Sequence, residues 1–267
     1  MSIAVERQRI PRRVAARRAV LNSRRAVQLL LIVSVLVIWE VIGRRVGEIF
    51  LPAPSVVFRA AGAMFESGEL VRATLDSLSS LLAGFGAAVA VGIALGFAMG
   101  WNKYLRDVLN PFVSAIYVIP VAALVPLLII WFGLGFTPRV LTIFLFSVFE
   151  VLVSTMAGVR NVDEDLITVA RSFGANRRQL FAKVAFFAAL PYIFAGLRMG
   201  VARALKGMII AELLFAVTGI GGAIMTAANY YEIDKVFVYV IELAVLGIAL
   251  AAVVQLVEKV VTPWRSR

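Results

Sequence analysis

The sequence contains neither cysteine nor histidine in its 267 residues. Without these side chains the chain forms no disulfide, presents no thiolate nucleophile, builds no Cys/His metal site and transfers no proton through imidazole. It also lacks a G-x-x-x-x-G-K-[ST] phosphate loop, so it does not use ATP by that route. No nucleophile elbow or other catalytic constellation is present either, and we expect neither enzymatic activity nor a cofactor in this chain.

Charged residues are scarce as well, at 16% of the chain, whereas a soluble domain carries about 25%. Hydrophobic residues make up 61%, and the mean hydropathy is +0.93. Several apolar runs exceed the roughly 18–20 residues that cross the hydrocarbon core of a bilayer as a helix. We predict an all-α, polytopic membrane protein with about six transmembrane helices, at residues 26–42, 74–100, 108–132, 138–158, 190–217 and 236–258.

The net charge of +11 is concentrated at the ends of the apolar runs and in residues 1–25, which hold eight arginines. This distribution favours contact with anionic lipid headgroups over contact with nucleic acid. By the positive-inside rule, the basic segment 1–25, the loop 159–187 and the C-terminal tail 261–267 are cytoplasmic. Residues 26–260 then form a single transmembrane domain, and both termini lie inside the cell.

Two of the predicted spans carry packing signals. The second has a ladder of small residues at a spacing of four, which permits close helix contact within one subunit or between subunits: Ala88, Gly92, Gly96 and Gly100. The third contains three prolines, each of which removes a backbone donor: Pro111, Pro120 and Pro126. We therefore expect the third span to be kinked or broken, with protein or a wet cavity satisfying the freed carbonyls.

The long loop 159–187 has the pattern of two short helices joined by a sharp turn. Asn161 and Glu164 are close to a capping box for the first helix, and Gly174 is placed to end it in the left-handed conformation. Asn176 is placed to cap the second helix. The apolar side of that second helix is formed by Leu180, Phe181 and Val184. Apolar residues flanked by arginines predict that a soluble partner binds this loop.

The same loop resembles the coupling motif of binding-protein-dependent ABC transporter permeases. That motif reads Glu-Ala-Ala, three residues, Gly, nine residues, then Ile-x-Leu-Pro. Ala170 and Gly174 match it and Val184 takes the place of the Ile, whereas Thr168 replaces the first Glu and residues 186–187 are both Phe. By this resemblance, the residues that couple to the ATPase are Thr168, Val169, Ala170, Arg171, Ser172, Phe173, Gly174, Ala175, Asn176 and Leu180.

Further segments, at residues 51–57, 119–135 and 157–163, are similar to the sulfonate, taurine and nitrate branch of that family. The similarity runs from about residue 29 to 260. It implies a type I importer in the bacterial inner membrane, with two permease subunits that are usually identical. It also implies two cytoplasmic ATPases, which bind ATP and Mg, and a periplasmic or extracellular substrate-binding protein. The solute implied is a small organic or inorganic anion, such as a sulfonate, taurine or nitrate.

Charged residues inside the apolar spans are candidates for the translocation pathway, because each costs about 2.5–3.5 kcal/mol at mid-helix. These residues are Glu150, Arg203, Lys206 and Glu212. Arg203 and Lys206 either line a pore that attracts an anion or pair with Glu150 or Glu212 for structure. The alternative function is a stand-alone secondary transporter or channel, which would require an intramembrane carboxylate relay or inverted repeats of broken helices.

Overall fold

The computed structural model describes residues 10–215 and 218–263, with side chains from residue 26 onward. The side chains of the predicted basic segment 1–25, and residues 264–267 of the predicted tail, lie outside this description. The described helices are α1 (Ile10–Val46), α2 (Pro54–Glu66), α3 (Glu69–Trp101), α4 (Lys103–Val118), α5 (Val121–Phe132), α6 (Phe136–Arg160), α7 (Glu164–Ser172), α8 (Arg177–Phe215), α9 (Gly219–Asn229) and α10 (Ile233–Val261).

Five helices are long and apolar enough to cross a membrane, namely α1 from residue 26, α3, α6, α8 and α10. Helices α4 and α5 are bent by 92° relative to each other and make a sixth span if the pair is counted together. The break lies at Ile119 and Pro120, whereas Pro111 and Pro126 lie within helices. The prediction of an all-α protein with about six spans, the third of them broken, is confirmed.

The spans alternate in direction, so the described bundle has two ends. The turn between α6 and α8 lies at one of them, which we call the turn end. Helices α3, α6 and α10 begin at the opposite end, which we call the far end. Helix α2 precedes α3, which begins at the far end, and α9 follows α8, which ends there. Both short helices therefore lie at the far end.

The small-residue ladder of α3 packs against α6. A Cβ atom added to Gly96 would lie 2.5 Å from the carbonyl oxygen of Leu152, and one added to Gly92 would lie 2.9 Å from the Cβ atom of Val151. Gly84 and Gly100 leave equally little space, since an added Cβ atom would lie 2.7 and 2.6 Å, respectively, from the nearest atom of α6. Real Cβ atoms essentially never approach so closely, so only glycine permits this helix separation. The ladder therefore serves packing within one subunit.

Helices α2 and α9 lie between the predicted spans, in segments for which no helix was predicted. Helix α2 begins with Pro54, whose missing N–H suits the first helical position. The Glu40 carboxylate of α1 accepts hydrogen bonds from the backbone N–H and the hydroxyl of Ser55, at 3.1 and 2.8 Å. An acidic side chain thus caps α2 from a neighbouring span, and the start of α9 uses a similar device.

Candidate functional site

The turn between α6 and α8 opens with α7, and Asp163 caps this helix. The Asp163 side chain accepts a hydrogen bond of 2.9 Å from the backbone N–H of Asp165. The predicted cap at Asn161 is wrong, because the N–H of Asn161 still donates to the carbonyl of Ala157 and so closes the last turn of α6. The acids that follow Asp163 suit the positive end of the α7 dipole.

Gly174 ends α7 in the left-handed conformation, with φ of +78°, as predicted. Its N–H donates to the carbonyl of Arg171 at 2.8 Å, and the N–H of Ala175 donates to the carbonyl of Ala170 at 3.0 Å. These bonds satisfy carbonyls that a helix end otherwise leaves without partners. The chain therefore reverses at Gly174 with its hydrogen bonds satisfied.

Asn176 caps the following helix, as predicted, and does so in a reciprocal capping box. The Asn176 side chain accepts from the N–H of Gln179, and the Gln179 side chain accepts from the N–H of Asn176, both at 2.9 Å. Each bond satisfies one donor that the start of a helix leaves free. Together with the bonds at Gly174, this box makes the turn stiff.

The second helix of the turn is not a separate short helix. It continues as α8 through a π-helical segment, Leu180–Ala185, and runs to Phe215 over 39 residues. The reason is that residues 180–190 contain neither glycine nor proline, and Phe186 and Phe187 stand where the family motif has Leu-Pro. The helix therefore has no breaker before Pro191, and the turn is joined directly to a membrane span.

Aromatic contacts hold the start of α8 against the end of α3. The Phe181 ring lies 4.8 Å from the Phe97 ring and 5.3 Å from the Trp101 ring, between centroids, and both pairs are edge-on. Such pairs add about 0.5–1.5 kcal/mol beyond the area that they bury. Leu180 is only 4% exposed. Of the predicted coupling residues, Leu180 therefore supports the turn from within and does not offer its side chain to a partner.

The rest of the turn presents an apolar surface edged by charge. Phe173 is 88% exposed, and Leu166 and Val169 are more than half exposed. Of the other predicted coupling residues, Ala170 and Ala175 are half-buried, and the exposed ones are Thr168, Arg171, Ser172, Gly174 and Asn176. A rigid turn with an exposed aromatic side chain beside guanidinium groups is suited to bind a protein cleft.

Two of the four predicted pathway residues meet midway along the bundle. Arg203 Nε lies 3.1 Å from Glu150 Oε1, and the Tyr117 hydroxyl donates to the same oxygen at 3.3 Å. Tyr117 stands two residues before the break between α4 and α5. The Glu150 side chain is 9% exposed and that of Arg203 is 51% exposed. Lys206, one helical turn further along α8, is exposed.

Glu212 lies apart from the other three predicted pathway residues. Its side chain is fully buried near the far end, where it accepts a hydrogen bond of 2.8 Å from the Ser77 hydroxyl. Arg139 Nη1 lies 3.8 Å from Glu212 Oε1. Ser77 carries no signal of its own in the sequence, whereas Arg139 stands out as a basic residue near the start of an apolar span. In this structure, Glu212 belongs to a packed polar cluster and faces no open surface.

Comparison with known proteins agrees with this fold. The family of inner membrane components of binding-protein-dependent transport systems matches residues 88–267. A Brucella abortus protein named "Probable ABC transporter permease protein" is 34% identical over 221 residues, which are 83% of this chain and 88% of that protein. A Bacillus subtilis relative, named for aliphatic sulfonates transport, is 33% identical over 240 residues, 89% of this chain and 87% of the relative.

A crystal structure of an amino acid ABC transporter with histidines has the same fold. The TM-score is 0.59 at 16% identity, over 74% of this chain and 96% of that chain. The family match covers more than half of the sequence and includes the whole turn between α6 and α8. The chain therefore belongs to the inner membrane components of binding-protein-dependent transport systems, the permeases of ABC transporters.

Proposed function

We propose that this chain forms the solute pathway of an ABC importer and couples it to a soluble ATPase through the turn at Gly174. The observation that carries the proposal is the stiff turn itself, with Phe173 exposed at its tip. ATP and Mg bind to the partner ATPase, and this chain contributes no catalytic group. The exposed face of Thr168, Val169, Arg171 and Phe173 is the part that enters the ATPase.

Helix α8 supports this coupling because it joins the turn to the membrane without interruption. At about 1.5 Å per residue, its 39 residues extend about 58 Å. A movement of the ATPase at the turn is therefore passed to residues inside the bilayer. The permease has two states, which open to opposite sides of the membrane, and ATP binding then favours one of them.

The position of Arg203 and Lys206 supports an assembly with a second permease. A cation at mid-helix costs about 2.5–3.5 kcal/mol against lipid, and both side chains are exposed on the single chain. A second copy facing this side of α8 would enclose both cations in a shared polar pathway. We therefore propose a homodimer with two ATPases, oriented with the turn end in the cytoplasm of the bacterial cell.

The solute that we propose is a small anion of the sulfonate, taurine or nitrate class. Arg203 and Lys206 supply positive charge on the side of α8 that a partner would cover, and the Bacillus subtilis relative is named for aliphatic sulfonates. Glu150 balances the charge of Arg203, so a passing anion would compete with this carboxylate. A substrate-binding protein at the far end would deliver the solute.

The test is to purify the tagged chain from its native membrane in mild detergent and to identify the proteins that accompany it. The proposal predicts a soluble subunit with a phosphate-binding loop, in a one-to-one ratio with this chain. If no such subunit appears under conditions that preserve other ABC complexes, the proposal is wrong. A secondary transporter, driven by an ion gradient and not by ATP, would then explain the membrane fold.

A further inference from the structure

The first turn of α9 is capped by side chains that belong to other helices. Within the described residues, the side chain of Thr218, at the cap position, makes no cap bond. The N–H of Gly221 donates to Glu212 Oε2 of α8 at 2.9 Å, and the N–H of Ile220 donates to Ser77 Oγ of α3 at 2.8 Å. Two of the free donors at the start of α9 are thus satisfied by side chains of two membrane spans.

The backbone of α9 is shaped around the Glu212 carboxylate. Gly219 has φ of +81°, and a Cβ atom there would lie 2.5 Å from Glu212 Oε1. A Cβ atom on Gly221 would lie 2.5 Å from the Glu212 Cβ atom. At Gly221 this helix separation excludes every residue except glycine, and at Gly219 a side chain would be strained by the positive φ and would displace the carboxylate. Helix α9 therefore sits directly on the buried carboxylate.

Charges from two further positions complete this arrangement. Arg139 Nη1 of α6 lies 3.0 Å from Asp76 Oδ2 and 3.8 Å from Glu212 Oε1. The Ser77 hydroxyl donates to Glu212 Oε2 while it accepts from α9. We call Asp76, Ser77, Arg139 and Glu212, with the first turn of α9, the polar joint. It links four helices, and its buried charges are stable only while all partners stay in place.

Helix α8 carries the coupling turn at one end and Glu212 at the other. Helix α9, which Glu212 holds, forms one wall of a cavity of about 1210 Å³ at the far end. From this juxtaposition we propose that Glu212 is a positioning residue that makes α9 follow α8, so that movement of the turn reshapes this cavity. The proposal rests on the proposed function, since it assumes that an ATPase moves the turn.

The experiment uses the complex of this chain with its copurified ATPase in lipid nanodiscs. Thr226→Cys places a single thiol on α9 beside the cavity, because the chain has no cysteine of its own. The rate of its reaction with a small maleimide is measured by mass spectrometry, without nucleotide and with ATP plus vanadate, which traps ADP on the ATPase after hydrolysis. We expect a difference of about fivefold or more between the two states, which falls below about twofold in Glu212→Gln and Ser77→Ala. The amide of Ile220 should exchange with deuterium about tenfold faster in Ser77→Ala, which removes its acceptor. The amide of Gly221 should exchange faster in Glu212→Gln, where a neutral oxygen replaces the carboxylate that accepts from it.

Two matched controls separate the joint from general damage at the far end. Glu40→Gln changes the carboxylate that caps α2 and bonds Ser55, outside the polar joint, and should retain the full nucleotide response. Ser79→Ala removes a hydroxyl of α3 that, in the described part of the chain, donates to the backbone carbonyl of Asp76 and to no side chain of the joint, and should do the same. If the Glu212→Gln permease does not assemble with the ATPase, the result for Ser77→Ala decides, because this variant keeps the Glu212 carboxylate.

The inference is overturned if assembled Glu212→Gln and Ser77→Ala complexes keep the wild-type nucleotide response at Thr226. It is equally overturned if the wild-type reaction rate does not depend on nucleotide. If no ATPase accompanies the chain, the proposed function fails. The exchange rates of Ile220 and Gly221 in the permease alone then still test the joint, and equal rates in wild type and variants would contradict it.

Discussion

Phe173→Ala is the substitution that most sharply separates partner binding from folding. The side chain is 88% exposed, so its removal should change the stability of the permease by no more than about 0.5 kcal/mol. The backbone bonds of the turn are also kept, because the N–H of residue 173 donates to the carbonyl of Val169 whatever the side chain. If the ATPase cleft buries this ring, the loss is about 2 kcal/mol of binding free energy. That loss corresponds to an increase of about 30-fold in the dissociation constant.

The assay is a titration of purified ATPase onto the permease in lipid nanodiscs, with the thermal stability of the permease measured in parallel. Phe58→Ala is the matched control, since Phe58 is 82% exposed but lies on α2 at the far end. We expect weaker ATPase binding in the Phe173 variant and unchanged binding in the Phe58 variant. Equal affinity of both variants would refute the assignment of Phe173 to the ATPase interface.

Two further predictions concern the bundle and the pathway. Gly96→Ala needs α3 and α6 to move apart by about 0.9 Å, from 2.5 Å to ordinary contact, and should destabilise the permease by about 1–3 kcal/mol in denaturant unfolding. Gly86→Ala on the same helix meets no atom within 4 Å and should not destabilise it. Arg203→Met should lower uptake of the solute by about tenfold in proteoliposomes, equal to about 1.4 kcal/mol of barrier. Arg198→Met, which breaks the pair with Glu258 nearer the turn end, should keep most of the uptake, and similar losses in both variants would count against a pathway role for Arg203.

The spans and the turn could be predicted because their signals are local in the sequence. A run of apolar residues is long enough to cross the bilayer whatever surrounds it, and Pro120 breaks a helix through its own missing N–H. Gly174 and Asn176 likewise act through residues at most four positions away. The misplaced cap of α7 shows the limit of this reasoning. Asn161 and Asp163 are both good caps, and the end of α6 decides between them.

The polar joint could not be predicted because its partners are remote in sequence. Ser77 and Glu212 are separated by 135 residues, and Asp76 and Arg139 by 63. Helix α9 itself starts with three glycines among four residues, a composition that indicates a loop when no packing partner is known. The available signal was the pairing of an acid within an apolar span, Glu212, with a glycine-rich segment that follows it closely. Such a pattern indicates that the backbone of the glycine-rich segment packs closely against the carboxylate.

Binding of the ATPase to the turn at Gly174 can be tested with a pair of glycine substitutions. Gly174 and Gly68 have φ of +78° and +75°, and neither has a neighbouring atom within 4 Å of an added Cβ. Each change to alanine should therefore cost a similar strain of about 1–2 kcal/mol, at opposite ends of the bundle. The measurement is the amount of ATPase that copurifies with each variant. We expect a large loss of ATPase for Gly174→Ala and none for Gly68→Ala, and an equal yield from both variants would show that the turn does not bind the ATPase.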